Sequence, residues 1–291
     1  MYIEKWQALG NDYMIVERDA LPFELTAARV RALCAPHTGV HADGVLLISP
    51  ATVAGCIAAL RIFNPDGSEA ALSGNGSREA ALYLHRCGRA GGPTFSIETA
   101  AGEVQCQITS PSTVRMLLGQ AKVRSSDYPG GADDGRGELH ADGSVWRFQH
   151  IQVGNPQCAI RVADVHALQA LDLDAIGPGI ERHELFPNRT NVSWFAPSGD
   201  GRIRARIFER GVGETSASGT GAAGAVVAHV LDGGVSPLTV ELDGGELDVE
   251  VTAELDVTLT GWAAPVFRGT LSHEFISDLD AAESREDDEV Q

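Results

Sequence analysis

Arg61-Ile62-Phe63-Asn64-Pro65-Asp66-Gly67-Ser68-Glu69-Ala70-Ala71-Leu72-Ser73-Gly74-Asn75-Gly76 decides the fold, because much of it is written twice. Arg206-Ile207-Phe208 repeats its opening 145 residues later, and at the same offset Glu69, Ser73, Gly74, Gly76 and Ala80 meet Glu214, Ser218, Gly219, Gly221 and Ala225. Eight of the twenty positions from Arg61 to Ala80 are identical, too ordered a series for chance. Working outward, Gly10-Asn11 recurs as Gly154-Asn155, and Ile97-Glu98 to Ile108 parallels Val240-Glu241 to Val251 in its apolar spacing and Gly-Glu pair. The chain therefore reads as two homologous halves.

Within each half, alternating apolar stretches (Leu60 to Phe63, Val104 to Ile108, Ile203 to Phe208, Leu247 to Val251) predict half-buried strands. Each Ser-Gly-x-Gly leads into an apolar, alanine-rich segment, Ser77 to Arg86 and Ala222 to Leu231, that predicts a helix. Gly88 and Gly233-Gly234 supply the stops. Many strands and one long central helix per half give an α+β architecture. The polar, Gly- and Asp-rich stretch Ser125 to Gly137 reads as the join, and the acidic end as a disordered tail.

Ser73-Gly74-Asn75-Gly76 and Ser218-Gly219-Thr220-Gly221 each lie between a strand and a helix start. Glycine lets backbone approach a ligand closely, and the first N–H groups of a helix point outward at its positive end, so such a turn suits a carboxylate or phosphate. A serine N-cap followed by ordinary turn glycines is the plainer reading of one turn. Two copies related by pseudo-symmetry favour a small anion held in one central cleft. Gly74-Asn75-Gly76 lacks the Lys-Ser/Thr of a phosphate loop, and no GxGxxG follows an early strand. Cys158 reads as core, and Glu209-Arg210 as a candidate substrate clamp.

Composition narrows the class. The 291 residues are 43% apolar, enough to bury a full core. Forty acidic and 22 basic residues give −18, which argues against nucleic acid or an anionic membrane as partner. No apolar run is long enough to span a membrane, and the first ten residues lack the pattern of a secretory signal. Five cysteines without a CxxC pair fit a reducing cytoplasm, and the nine histidines show no metal-ligand spacing. With Lys5 and Lys122 the only lysines, a Schiff-base cofactor is a poor fit.

These residues resemble the diaminopimelate epimerase family over nearly the whole chain before the acidic tail. Gly10-Asn11-Asp12-Tyr13 is similar to the family's opening Gly-Asn-Asp-Phe; Asn64 to Ser68 leading into Gly74 to Arg78 resembles its first active-site segment. Gly154-Asn155-Pro156, Phe186 to Val192, and Glu209 to Thr215 through Gly219-Thr220-Gly221 follow in the right order. The resemblance implies two pseudo-symmetric lobes, each a mainly antiparallel sheet wrapped around a central helix, with the active site between them. It places residues 1–118 plus about 263–276 in the N-terminal lobe, 119–262 in the C-terminal lobe, and 277–291 in the tail. It further implies a homodimer without cofactor, converting LL- to meso-diaminopimelate in lysine and cell-wall synthesis.

The same resemblance exposes departures. The family uses two cysteines, one on each face of the substrate α-carbon, as thiolate base and thiol acid; both positions are serine here, Ser73 and Ser218. The family's histidine after Asn-Pro is Gln157, and of that acid–base group Glu209 remains. The substrate-holding positions persist: Asn11, Asn64, Asn155, Asn191, Glu209, Arg210 and the backbone of Gly74, Asn75, Gly219 and Thr220, with Gln157 facing the same ligand. A cysteine thiol titrates near 8.5 and lower at a helix N-terminus, whereas a serine hydroxyl lies several units higher, so an unchanged mechanism would run far slower. Three activities stay open: a diaminopimelate-type epimerase working through hydroxyls, a cofactor-free isomerase or lyase of the same fold on another small carboxylate, and a non-catalytic carboxylate-binding homologue.

Overall fold

The computed structural model describes Met1–Glu289, with side chains to Ala281. The chain divides into two units, Met1–Val114 with Trp262 onward, and Arg115–Gly261.

The first unit opens with β1 (Tyr2–Ala8) and β2 (Asn11–Glu17), then α1 (Ala27–Cys34), β3 (Val45–Ser49), β4 (Cys56–Phe63) and β5 (Glu69–Ala70). Helix α2 (Gly74–Arg86), β6 (Thr94–Thr99), β7 (Gly102–Ser110) and β8 (Thr113–Gln120) follow. β1 and β2 pair antiparallel, β2 and β3 parallel, β3 and β4 antiparallel, β4 and β6 parallel, β6 and β7 antiparallel, with β5 folded back on β4. Helix α2 packs on β1 to β4 and β7 and is buried from Gly74 to Leu84.

The second unit repeats this plan. It comprises β9 (Arg136–Ala141), β10 (Ser144–Val153), β11 (Asn155–Arg161), α3 (Val165–Gln169), α4 (Leu173–Glu181), β12 (Asn191–Gly199), β13 (Arg202–Glu209), β14 (Gly213–Thr215), α5 (Gly219–Leu231), β15 (Leu238–Leu242), β16 (Gly245–Val251) and β17 (Asp256–Trp262). From β10 through β11, β12, β13 and β15 to β16 the senses run antiparallel, parallel, antiparallel, parallel, antiparallel, and β14 folds back on β13. This succession matches β1 to β7 strand for strand, so the sequence repeat is a repeat of topology. Helix α5 packs on β10 to β13, β15 and β16 and is buried from Gly219 to Ala228. Its small side chains permit that enclosure: a Cβ on Gly221 would sit 2.6 Å from Ile207 Cδ1, and on the equivalent Gly76 2.9 Å from Leu46 Cδ2. Cys158 is fully buried in the cluster of Phe148, Ile160, Phe186, Trp194 and Phe208, where loss of hydration pushes its thiol far up, so it packs rather than reacts.

The chain crosses into the second unit within β8 and not in Ser125 to Gly137. That polar stretch is tied back to its own unit: Gln149 Nε2 donates to Asp134 O at 2.7 Å, and His150 N to Gly135 O at 2.8 Å. At the other end the chain rejoins the first unit as β18 (Ala264–Thr270), antiparallel to β1, and α6 (His273–Glu289). The disordered tail expected from residue 277 is replaced by this helix. Phe275, Ile276 and Leu279 share one face by their spacing and pack into the cluster that holds Val30 and Leu33 of α1. Arg29 donates to Leu279 O at 3.1 Å and pairs with Asp280 at 3.3 Å. Residues 290–291 lie outside the described residues. No helix among the described residues is long and apolar enough to cross a membrane.

Candidate active site

Each unit carries one set of the residues singled out in the sequence. In the first, Ser73 is the N-cap of α2, with extended backbone (φ −127°, ψ 120°) that turns its Oγ back onto Gly76 N at 3.1 Å. The remaining early N–H groups of the helix stay directed outward. The Tyr13 hydroxyl, from β2, donates to the same Oγ at 3.4 Å. Beneath the turn runs a chain of side chains: the Arg78 guanidinium donates to Gly74 O at 3.1 Å and to Asn75 Oδ1 at 2.5 Å, Asn75 Nδ2 to Asn11 Oδ1 at 3.0 Å, and Asn11 Nδ2 to Asp43 Oδ2 at 2.9 Å. Asp43 also accepts Asp12 N at 3.0 Å, and Lys5 pairs with Asp12 at 2.8 Å. Gly74, Asn75 and Asn11 are thereby fixed relative to one another. Asn64, at the end of β4, turns its amide onto Ser68 Oγ at 2.9 Å in the Asn-Pro-Asp-Gly turn.

Burial of the Arg78 guanidinium lowers its pKa to about 10, and its neighbour Glu79, equally buried, is pushed well above the usual carboxylate range by lost hydration despite the nearby cation. The Tyr13 backbone N–H offsets part of this shift.

In the second unit, Ser218 caps α5 with the same backbone (φ −137°, ψ 122°), its Oγ accepting from Gly221 N at 3.3 Å. Its hydroxyl donates to Glu209, which also accepts from Thr215 Oγ1 at 3.4 Å. Lost hydration pushes the Glu209 carboxyl up, and these two donors hold it partly back. Thr220 Oγ1 takes Asn155 Nδ2 at 3.4 Å and Gln157 Nε2 at 3.2 Å, the counterpart of the Asn75–Asn11 bond. Gln157, expected to face a ligand, is fully buried against Gly224 of α5 and acts on the turn through Thr220. Asn191 Oδ1 accepts from Arg210 N at 2.8 Å, and Arg210 Nη1 donates to Asn188 O at 3.0 Å, leaving an exposed guanidinium at the end of β13. The buried Glu181 accepts Gly211 N at 2.9 Å with Arg189 at 3.5 Å, which anchors the Glu209–Gly211 turn.

Within each unit, then, the expected residues assemble: Asn11, Ser73, Gly74 and Asn75, with Asn64 closing the neighbouring turn, in one; Asn155, Gln157, Asn191, Glu209, Arg210, Ser218, Gly219 and Thr220 in the other. Sequence reasoning misses Tyr13, Asp43, Arg78, Thr215 and Glu181. Tyr13 alone carries a signal, since it stands where the repeat puts Gln157. Among the described residues no group of three or more His, Cys, Asp or Glu is placed to hold a metal.

The duplicated strand–turn–helix plan makes this an α+β protein, and solved structures share its fold. A hydroxyproline epimerase from Agrobacterium vitis superposes with a TM-score of 0.69 at 19% identity, covering 92% of this chain and 91% of that one. A PhzF-family phenazine biosynthesis protein from Bacillus anthracis gives 0.65 at 18% identity over 93% and 99%. The family model described as diaminopimelate epimerase matches residues 4–123 and 150–264. Diaminopimelate epimerase 2 of Nostoc sp. is 36% identical over 282 residues, 95% of this chain and 98% of that protein; the chloroplastic diaminopimelate epimerase of Oryza sativa subsp. japonica is 35% identical over 94% and 80%. The chain belongs to the diaminopimelate epimerase family.

Proposed function

We propose that the protein is a cofactor-independent amino-acid epimerase that inverts the α-carbon of diaminopimelate by proton transfer through Ser73 and Ser218. The observation that carries this reading is the half-buried Glu209 carboxylate, raised above its ordinary range, which accepts from Thr215 Oγ1 at 3.4 Å and pairs with the Ser218 hydroxyl at a helix N-terminus. A carboxylate raised by burial is a better base, and a hydroxyl hydrogen-bonded to it passes a proton on without becoming a free alkoxide. The outward N–H groups of α2 and α5 suit the substrate carboxylate and the charge that builds up beside it as the α-proton leaves. Arg210, held through Asn188 and Asn191, supplies the positive charge for the second carboxylate.

The experiment is proton exchange in D2O with LL- and meso-diaminopimelate, read by NMR and by a coupled diaminopimelate dehydrogenase assay. Deuterium at the α-carbon with production of the other epimer supports the reading; neither signal at high enzyme concentration refutes it. A second reading, an isomerase or lyase acting on another small carboxylate, draws on Gln157, which has no titratable proton and is turned inward. Exchange with a different amino or hydroxy acid and none with diaminopimelate would select it. We assign a second copy of the chain as partner, through β18: Val266 and Phe267, with Tyr2 of the adjacent β1, are 55%, 41% and 47% exposed. Sedimentation of wild type and Phe267→Glu tests this, since a monomeric wild type rules it out.

A further inference from the structure

The polar stretch before β9 is tied not only to β10 but also to the segment that holds Arg210. Ser125 Oγ meets Nε2 of the fully buried His150 at 2.9 Å and accepts Asp127 N–H at 3.1 Å. That turn presents the Asp127 carboxylate to Asn188, whose Nδ2 donates to Asp127 Oδ1 at 3.0 Å. The carbonyl of the same Asn188 accepts Arg210 Nη1 at 3.0 Å. A run of bonds thus leads from a buried side chain of β10 to the guanidinium at the end of β13, all of it within Arg115–Gly261. Apolar packing follows the same route: the centre of the Tyr128 ring lies 5.4 Å from those of His150 and Phe148 and 5.7 Å from that of Phe186, which opens the segment carrying Asn188.

Arg210 depends on this support. It is exposed, and among the described residues it pairs with no carboxylate, so its charge stays open to a ligand. A free arginine side chain spreads over many rotamers, and ordering it on binding weakens the complex. The anchor of its guanidinium is a backbone carbonyl, and that carbonyl belongs to an exposed turn, Pro187-Asn188-Arg189. Beyond the turn Glu181 holds the chain, its carbonyl accepting Thr190 N at 3.1 Å and its carboxylate pairing with Arg189 at 3.5 Å. On the near side Pro187 has no N–H to give, and among the described residues the Asn188 amide has Asp127 as its partner at this side. Asp127 therefore fixes the carbonyl that fixes the guanidinium. The repeat supplies no counterpart: at the 145-residue offset Arg210 meets Pro65, so the arrangement belongs to the second half alone.

We propose that Asp127 is a positioning residue for the substrate's second carboxylate: through Asn188 it holds the Arg210 guanidinium in the orientation that receives that group. This rests on the role given to Arg210 above. A pre-ordered guanidinium loses less freedom when the carboxylate docks. The second carboxylate takes no part in the proton transfer, so its contact is equally strong before and during the reaction. Such uniform binding shows in KM and leaves kcat untouched.

Kinetics on both sides of the Asp127–Asn188 bond test the proposal. Asp127→Ala should raise KM for diaminopimelate about three- to tenfold, with kcat within about twofold of wild type. Asp127→Asn keeps an oxygen for the Asn188 amide and should return KM to within about twofold of wild type. Asn188→Ala, on an exposed turn, keeps the carbonyl but frees it from Asp127 and should match Asp127→Ala, and the double variant should be no worse than either single one. Unchanged KM in both single variants, a fall in kcat in place of the rise in KM, additive effects, or no rescue by asparagine overturns the proposal. A measurement without substrate separates this from failure of the function reading: 15N relaxation of the Arg210 Nε–Hε group, assigned by its loss in Arg210→Lys. Both single variants should make this group more mobile on the picosecond-to-nanosecond scale. Unaltered mobility overturns the proposal even where wild type is active. Greater mobility in a protein that leaves diaminopimelate unchanged upholds the role of Asp127, while the substrate assignment fails.

Discussion

Replacing Ser73 and Ser218 together with cysteine asks whether the hydroxyls limit the rate. Each serine caps its helix through one Oγ to N–H bond, 3.1 Å to Gly76 and 3.3 Å to Gly221, and a thiol is a poor acceptor. Loss of a cap costs about 1 kcal/mol, so the double variant should be about 2 kcal/mol less stable, a tolerable part of the usual 5–15 kcal/mol. The chemistry moves the other way. Thiols at helix N-termini titrate a unit or more below their usual 8.5, which leaves a substantial thiolate fraction near pH 7.5. A serine hydroxyl lies several units higher, each unit corresponding to about 1.4 kcal/mol. If only two of those units reach the transition state, diaminopimelate epimerisation should rise about 100-fold. Both changes are needed, because inversion takes a proton from one face and returns it to the other. Gln157 cannot stand in for a proton-carrying partner, and Gln157→His completes a triple variant. The assay is the dehydrogenase-coupled rate, with far-UV dichroism and thermal unfolding confirming the fold. If the folded double and triple variants both stay as slow as the parent, the site is not built for diaminopimelate, and another small carboxylate becomes its substrate.

Glu209→Gln should lower kcat about 10²- to 10⁴-fold and abolish the acid limb of the rate profile, a limb that lies above the usual glutamate range because burial raises this carboxyl. Glu79→Gln should flatten the dependence of stability on pH: a carboxyl raised on folding adds stability that is complete below its unfolded pKa near 4.3 and is lost as pH rises toward the folded value, by about 1.4 kcal/mol per pH unit, so the variant is the more stable at neutral pH in urea titrations. Gly221→Ala should destabilise by about 1–3 kcal/mol, and by more than Gly76→Ala, since its new methyl would meet three atoms of the β-branched Ile207 at 2.6, 2.9 and 3.2 Å, whereas that of Gly76 would crowd Leu46 Cδ2 alone, at 2.9 Å; equal unfolding midpoints would contradict this.

The fold was legible because duplication multiplies weak signals. One Ser-Gly-x-Gly turn is an ordinary N-cap; the same turn 145 residues on, after the same Arg-Ile-Phe, requires a common strand–turn–helix plan, and the matching senses of β1 to β7 and β10 to β16 are that plan. What escaped were features that depend on partners remote in sequence. The acidic end looked unstructured because its charges outnumber its apolar residues, yet three apolar side chains on one helix face suffice once α1 presents Val30 and Leu33 to them. The polar run before β9 looked like a join because backbone bonds to β10 are invisible in composition.

The site shows the same division. Residues on the repeated turns could be named from spacing alone, because the turn itself places Ser73, Gly74, Asn75 and their counterparts. Arg78, Asp43 and Glu181 could not, since each acts across elements distant in sequence: Arg78 from within α2 onto the turn, Asp43 onto Asn11 and Asp12, Glu181 from α4 onto Gly211. Symmetry helps find what is shared and hides what differs. The shared part here is backbone: two glycine turns, two caps, two helix ends. The unlike part is two side chains that the repeat does not match, Tyr13 against Gln157 and Glu209 against Asn64, and these are the positions that touch or replace a touch on the serines. Breaks in a duplicated sequence, read at the level of which hydrogen bond each residue makes, are therefore where the two otherwise equivalent turns come to differ.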